Sequence, residues 1–255
     1  MDRPNTGHAP AEGQPQAPAH LTARRNLARL RPSKVRSGIR RRWFEARVSH
    51  FRTKLVDSLI EVGTPYGAWI VSRDVDASWT CYCAGMGGDV SLERHLLAQG
   101  AVVRSVDPVE RFVAQGLDEL GRFDRYSAHH AALATHDGTI EMQQHHEAVS
   151  GSLSAADLYD TVGMVTVPAT TLSSLMDDNG DTRVDLLKLD VEGVEYELVP
   201  ALDLEALGVR LLGVQLHHNG SVADARRLIA LIESQGFLYA AQRRPGKLTF
   251  VKREG

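Results

Sequence analysis

Long apolar runs and cysteines are both scarce in this chain. No apolar run approaches the roughly 20 residues of a membrane span, and residues 1–20 lack the apolar segment of a signal peptide. The only cysteines, Cys81 and Cys83, are too close in sequence for a normal structural disulfide, and two cysteines fall short of a zinc site. These absences predict a cytoplasmic protein without a membrane span.

An apolar strand pattern that ends in acids stands at residues 184–197, V-D-L-L-K-L-D-V-E-G-V-E-Y-E. The first six residues predict a buried strand, and Asp190 and Glu192 follow where it stops. Ligands of open α/β sheets lie outside the carboxyl ends of the strands, so these carboxylates are placed for chemistry. The alternative is a solvated strand-to-helix turn in which Gly193 relieves backbone strain.

A second pattern, in the order strand, glycine turn, helix, strand and acid, lies at residues 79–108. Gly85 and Gly87 would let a ligand approach the backbone, and Asp107, about twenty residues on, stands where a ribose diol would be hydrogen-bonded. The dinucleotide fingerprint requires Gly or Ala three residues after the second glycine, but this chain has Val90 there. S-adenosylmethionine, an adenosine ligand without a pyrophosphate, therefore fits better than NAD.

The block at residues 187–195, L-K-L-D-V-E-G-V-E, resembles the hallmark of FkbM-type methyltransferases. The glycine turn with Asp89, the Asp107-Pro108 pair and residues 167–172 also follow the order of that family. The resemblance runs from about Tyr66 to the C-terminus. It departs at the first motif, where Cys83 replaces the acid of many relatives.

The resemblance implies an α/β, Rossmann-like class I methyltransferase fold, with a mostly parallel sheet, helices on both faces and a C-terminal antiparallel hairpin. The implied activity is S-adenosylmethionine-dependent O-methylation of a small-molecule hydroxyl, on a sugar or a secondary metabolite. The residues expected to bind the cofactor are Cys83, Gly85, Gly87, Asp89, Asp107, Pro108 and Asp190.

The predicted catalytic residues are Asp190, Glu192 and His217. Residues 209–216 predict the strand beside the one that ends at Asp190, which places His217 at the same edge. An imidazole titrates near neutral pH, so His217 is the candidate general base, with a satisfied strand-end histidine as the alternative.

The same three side chains could hold a divalent ion that lowers the pKa of the acceptor hydroxyl. That alternative is less favoured, because oxygen-rich sites of this kind also occur without metal, so no metal ligand is predicted. Glu195 and Glu197 are expected to be surface or packing residues.

The chain divides by composition into three parts. Residues 1–20 predict a disordered tail, residues 21–62 a basic and partly helical arm, and residues 63–255 the methyltransferase domain. Twelve Lys and Arg face the single acid Glu45 within residues 21–54, while the whole chain has a net charge of −3. Such an arm suits nucleic acid, an anionic membrane surface or the protein's own acidic face; without a nucleic-acid motif, a solvated arm is favoured.

Local patterns predict the remaining elements. They are a helix over residues 51–62, short strands at 66–71 and 127–135, a hairpin turn at 136–138 into a strand at 139–143, a long loop at 144–161, a helix at 221–235 and a terminal hairpin of residues 237–241 and 248–252.

Two other enzyme classes share part of this pattern. A nicotinamide-dependent oxidoreductase would share the glycine turn and the ribose acid, but Val90 and the terminal hairpin count against it. A nucleic-acid methyltransferase would explain the basic arm, but the chain has no Asn-Pro-Pro-Tyr-type block for a flipped base.

Overall fold

The computed structural model describes residues 32–51, 53, 58–145, 153–155, 158 and 161–253. Its strands are, in chain order, Leu59–Val62 (β1), Trp69–Ser72 (β2), Thr80–Ala84 (β3), Val102–Asp107 (β4), Tyr126–His130 (β5), Ala132–Leu133 (β6), Gly138–His145 (β7), Leu153–Ser154 (β8), Thr161–Thr170 (β9), Leu186–Leu189 (β10), Leu211–Gln215 (β11), Phe237–Arg244 (β12) and Lys247–Lys252 (β13). Its helices are Pro32–Val48 (α1), Ser91–Ala98 (α2), Glu110–Leu120 (α3), Leu172–Asn179 (α4), Glu195–Leu198 (α5) and Val222–Ser234 (α6), with a 3₁₀ turn at Val199–Ala201.

Seven strands form the main sheet, in the order β12-β13-β11-β10-β3-β4-β5. The strands β11, β10, β3, β4 and β5 are parallel, whereas β13 pairs antiparallel with both β11 and β12. The predicted mostly parallel sheet with a terminal antiparallel hairpin is confirmed.

The central strand β10 is buried on both faces because successive side chains of a strand point to opposite sides. Leu187 and Leu189 pack into one apolar cluster with α4, α5 and α6, while Leu186 packs into a second with α2, α3 and the β1-β2 hairpin. Helices therefore cover both faces of the sheet. The carboxyl ends of the parallel strands are left for a ligand.

The predicted helix over residues 51–62 is wrong at its C-terminal end. Residues 59–62 form β1, which pairs antiparallel with β2, and Val62 packs beside Trp69 in the second apolar cluster. Residues 52 and 54–57 lie outside the described residues, as do the predicted tail and residues 21–31. A short apolar run suits either a helix or a strand, and here pairing with β2 decides.

The predicted strand over residues 127–135 is two strands in two sheets. The second, β6, belongs to a four-stranded sheet of order β6-β9-β7-β8, in which it pairs parallel with β9. The predicted hairpin turn is wrong, because β7 pairs antiparallel with β9 and β8 and not with β6.

The ten-residue β9 was not predicted. Within the predicted loop at 144–161, strand residues occupy 144–145, 153–154 and 161, and most of the other residues are not described.

Helix α6 begins and ends as predicted. The Ser221 side chain accepts a hydrogen bond from the Asp224 backbone N–H, and the Asp224 carboxylate accepts one from the Ser221 N–H, which completes a capping box. Gly236 follows the helix with φ of +87°. This helix is determined by local signals, which explains why sequence reasoning located it.

Helix α1, within the predicted basic arm, packs on the main body. Phe44 and Val48 are buried in the same apolar cluster as Leu187, whereas Ile39 and Trp43 are exposed. No helix among the described residues is long and apolar enough to cross a membrane.

Replacing Val48 with Ala should lower the free energy of unfolding by about 2 kcal/mol, because two methyl groups leave a fully buried position. Ile39 is 63% exposed on the same helix, and its replacement by Ala should change that free energy by less than about 0.5 kcal/mol. Urea denaturation of both variants checks the prediction. Equal midpoints would mean that α1 does not pack on the body in solution.

Candidate functional site

A cleft of about 950 Å³, its open mouth included, lies at the carboxyl ends of β3, β4 and β10. The glycine turn and Asp107 form one part of its wall, and Asp190 and Glu192 form another. The small sheet contributes Met142 from β7 to the lining, beside Leu153 from β8. One cavity thus joins the two patterns that the sequence placed about a hundred residues apart.

The turn after β3 requires glycine at two positions. Gly85 has φ of +80°, and a Cβ there would overlap the backbone oxygen of Asp190. Gly87 has φ of +58°, and no atom lies within 4 Å of the position that its Cβ would take. The turn therefore brings β3 against the end of β10 and presents bare backbone to the cleft.

Asp107, at the end of β4, holds the glycine turn. Its Oδ2 accepts hydrogen bonds from the backbone N–H groups of Met86 at 2.6 Å and Gly87 at 3.3 Å, and its Oδ1 accepts one from Val109 at 2.8 Å. Burial raises the pKa of Asp107, although these three amides act in the opposite direction. The carboxylate also lines the cleft, so its predicted contact with a ribose stays a prediction that this geometry allows.

Asp89 lines the cleft and links the end of the glycine turn to the start of α2 and to the segment before β2. Its Oδ1 accepts from the Ser91 backbone N–H at 3.0 Å, at the start of α2, and its Oδ2 accepts from the Thr64 hydroxyl. Burial acts to raise the pKa of Asp89, but the hydrogen bonds from Ser91 and Thr64 outweigh it and lower that pKa. Asp89 thus positions the start of α2 against the segment before β2.

The predicted cofactor residues differ in their access to the cleft. Gly85, Gly87, Asp89, Asp107, Pro108 and Asp190 all line it. Cys83 does not line it, because its side chain is fully buried in the apolar cluster beneath β3. Burial raises the pKa of Cys83 well above its usual value, so it is a neutral thiol that packs the strand.

The three predicted catalytic side chains meet at the end of β10. The Nε2 atom of His217 lies 3.3 Å from Glu192 Oε2 and 3.7 Å from Asp190 Oδ1. Glu192 has φ of +48°, the left-handed region, which a residue other than glycine rarely adopts. The chain turns sharply here, and the turn brings both carboxylates to one imidazole.

Glu195 is the residue whose role sequence reasoning missed. It is fully buried, and its Oε1 accepts a hydrogen bond from the His217 backbone N–H at 2.6 Å and lies 3.3 Å from His217 Nδ1. Its Oε2 accepts from the Gly193 N–H at 2.9 Å. Glu195 therefore orients the imidazole so that Nε2 faces Asp190 and Glu192. Glu197, by contrast, is exposed, as expected.

The charged groups packed around His217 determine the protonation states of His217 and Glu192. Burial acts to lower the pKa of His217, but Glu192, Glu195 and Asp190 together raise it to about 10. Burial raises the pKa of Glu192 to about 7, although the positive charge of His217 opposes the shift. His217 is therefore positively charged at neutral pH, and the reason given for it as a general base, titration near neutrality, does not hold here.

A family model described as the methyltransferase FkbM domain matches residues 77–239, which is more than half of the chain. The chain belongs to the FkbM methyltransferase family. No curated protein and no solved structure matches it. The resemblance seen in residues 187–195 is confirmed, and the protein is a methyltransferase.

Two lysines of this FkbM methyltransferase line the cleft without having been predicted. Lys188 is buried, and its Nζ donates to the backbone oxygens of Ala84, at 3.1 Å, and Gly85. Lys247 lies with its Nζ 4.3 Å from the centre of the Trp69 ring, and burial lowers its pKa to about 8. Lys188 stands inside the family block, so its position offered a signal, whereas Lys247 reaches the cleft only through the terminal hairpin.

The basic helix α1 also reaches the site of the FkbM domain. Arg40 donates a hydrogen bond to the backbone oxygen of His218 at 3.1 Å. The positive charge of Arg41 acts, with that of His217, against the rise that burial causes in the pKa of Glu192. Burial, followed by the charges of Arg40 and neighbouring groups, lowers the pKa of His218 to about 4. Arg40 therefore attaches α1 to the segment after β11 through a backbone oxygen, while Arg41 forms an ion pair with Glu45 of its own helix.

Proposed function

We propose that this protein is an S-adenosylmethionine-dependent O-methyltransferase that acts on a hydroxyl of a small molecule, such as a sugar or a secondary metabolite. The observation that carries the proposal is the single cleft, which has the glycine turn and Asp107 on one side and Asp190, Glu192 and His217 on the other. A methyl donor and its acceptor must meet in one cavity. One end of this cleft suits the nucleoside of the donor, and the other end has charged side chains that could act on the acceptor.

The strand order supports a class I methyltransferase fold. The order of the parallel strands reverses between β3 and β10, because β4 and β5 follow β3 on one side while β10 and β11 lie on its other side. Ligands of open α/β sheets bind at such a switch point. The antiparallel β12-β13 hairpin completes the edge beyond β11. A nicotinamide-dependent domain of the usual kind is all parallel. The terminal hairpin and Val90 therefore favour a methyl donor over NAD.

Different parts of the cleft wall suit the methionine, ribose and adenine parts of the methyl donor. We place the methionine end beside Gly85 and Gly87, which have no side chains of their own, and the ribose near Asp107 and Pro108. Ala132 and Leu133, buried residues of β6 that line the cleft, offer an apolar surface for the adenine. When bound, the donor supplies an electrophilic methyl group on its sulfonium.

The protein's own residues must hold the acceptor oxygen in line with that methyl and remove its proton. The oxygen forms a bond to the methyl carbon, the carbon–sulfur bond breaks, and the hydroxyl proton leaves. His217 already carries a proton at neutral pH, so the accepting groups are the carboxylates of Asp190 and Glu192. Glu195 acts behind them as a positioning residue.

The first test is calorimetric titration of the full chain with S-adenosylmethionine, S-adenosylhomocysteine and NAD. The first two should bind saturably, and Asp107→Asn should weaken them at least about tenfold, since an amide cannot accept from three backbone N–H groups as the carboxylate does. Asp118→Asn, a charge removed from the exposed side of α3, should leave both affinities unchanged. Binding of NAD alone would overturn the proposal.

The acceptor class is tested with a methyl-labelled donor and a panel of hydroxylated small molecules. An O-methyl ether should form, and its label should resist alkaline hydrolysis, which would release methanol from a methyl ester. Label found only in esters, amines or nucleic acid would contradict methylation of a hydroxyl.

A further inference from the structure

Three potential metal ligands converge at the end of β10. Asp190, Glu192 and His217 each offer one ligand atom, and these atoms all lie within 4.8 Å of one another. The two distances from His217 Nε2 to the carboxylate oxygens are 3.3 and 3.7 Å. Ligand atoms that share one ion at about 2.1 Å are roughly 3.0 to 3.5 Å apart, so small side-chain shifts would close this set on an ion.

A second observation concerns the far side of the imidazole. Metal-binding histidines almost always direct their other ring nitrogen to a carboxylate, a carbonyl or a water molecule. Here the fully buried Glu195 lies 3.3 Å from His217 Nδ1 and also accepts from the His217 backbone N–H. The ring is thereby fixed with Nε2 toward the two other carboxylates.

A third observation concerns unsatisfied polar atoms. Glu192 Oε2 is buried and has no hydrogen-bond partner among the described residues. His217, with a side chain 8% exposed, directs Nε2 at that same oxygen. A buried carboxylate oxygen without a hydrogen bond is costly unless a cation compensates it, and here the charge nearest to it is that of the His217 ring. A divalent ion held between these side chains would compensate the oxygen directly, in place of the proton on Nε2.

We propose that Asp190, Glu192 and His217 bind one divalent cation of the Mn²⁺ type at the acceptor end of the cleft. Binding displaces the Nε2 proton of His217 to solvent, so that the neutral ring nitrogen ligates the ion while Nδ1 keeps its proton toward Glu195. Two carboxylates and one imidazole suit Mn²⁺ better than Ca²⁺, which prefers oxygen ligands throughout. Asp190 and Glu192 line the cleft, so the open side of the ion faces the space where an acceptor would lie.

The role of the ion rests on the proposed function, although its binding does not. An acceptor hydroxyl on the open side would have its pKa lowered by the ion, its proton would pass to solvent or to a free carboxylate oxygen, and the oxygen would then take the methyl group. The ion thus replaces the unassisted carboxylate as the main means of activating the hydroxyl.

The test is titration of the full chain, first freed of metal with a chelator, with Mn²⁺. Free Mn²⁺ is counted by its electron paramagnetic resonance signal. The protein should take up one ion per chain, and Glu192→Gln and Asp190→Asn should each weaken uptake at least about tenfold. Glu197→Gln removes an equal charge from the exposed side of α5 and should leave uptake unchanged.

A spectroscopic readout distinguishes direct coordination of Mn²⁺ by His217 from nonspecific electrostatic attraction to the carboxylates. Nitrogen hyperfine coupling to bound Mn²⁺ should appear in the wild-type protein and disappear in His217→Gln. Absence of stoichiometric uptake at millimolar Mn²⁺, or equal uptake by the wild type, Glu192→Gln and Asp190→Asn, would overturn the proposal. Thermal unfolding checks that each variant folds, and Asp190→Asn alone is sufficient if Glu192→Gln does not fold.

The donor titration keeps the two proposals apart. Uptake of Mn²⁺ without binding of S-adenosylmethionine would support the ion and overturn the methyl donor. Binding of S-adenosylmethionine without uptake of Mn²⁺ would overturn the ion and leave the methyltransferase proposal in place.

Discussion

Replacing Asp190 with Asn is expected to slow methyl transfer roughly a hundredfold to a thousandfold at saturating methyl donor. The Asp190 carboxylate stands at the end of β10, lines the cleft and faces His217 Nε2. In the proposed reaction it contributes negative charge where the acceptor must lose a proton, and Asn has nearly the same shape without that charge. The loss should therefore appear in kcat, measured with an acceptor from the labelled-donor screen.

The control for that experiment is Asp178→Asn. Asp178 is exposed on α4, so the same chemical change there should leave kcat within about twofold of the wild type. Binding of S-adenosylhomocysteine to Asp190→Asn should stay within about tenfold, which is the equivalent of 1.4 kcal/mol. An Asp190→Asn enzyme with wild-type kcat would remove this carboxylate from the reaction.

Replacing Glu195 with Ala is expected to lower the free energy of unfolding by about 3 to 5 kcal/mol, the usual cost of removing one partner of a buried ion pair. Glu195 is fully buried and satisfies the backbone N–H groups of His217 and Gly193. It also faces the His217 ring, which is protonated at neutral pH. Truncation leaves all three groups without this acceptor, two of them on the buried His217.

Glu197→Ala is the matched control, because Glu197 lies on the same short helix but is exposed, and its effect should be within about 0.5 kcal/mol. Chemical denaturation at neutral pH compares the two variants with the wild type. A small effect of Glu195→Ala would mean that His217 and Gly193 find other partners, and that Glu195 does not position the imidazole.

Elements specified by neighbouring residues could be predicted from the sequence. The capping box that begins α6, the apolar run of β10 and the glycine turn after β3 are all local patterns, and each was located correctly. The methyltransferase family was likewise predicted from residues 187–195 and is confirmed by the match over residues 77–239.

Elements that depend on distant partners were predicted less well. The parallel pairing of β6 with β9 joins residues 132–133 to residues 169–170, and no local signal separates that pairing from a hairpin with β7. The strand β1 was mistaken for helix because its apolar residues fit either spacing until β2 is beside them.

The sequence by itself determined the family, the main sheet's order of parallel strands before a terminal hairpin, and the acids that end β10. Only the tertiary structure decided what those acids do. It buried Glu195 against His217, 22 residues later in the chain, and surrounded that histidine with carboxylates that keep it protonated. The physical reason is that the burial and the charge around a side chain depend on which residues lie next to it in space. At the end of β10 those neighbours come from separate strands, and only the packing of the strands brings them together.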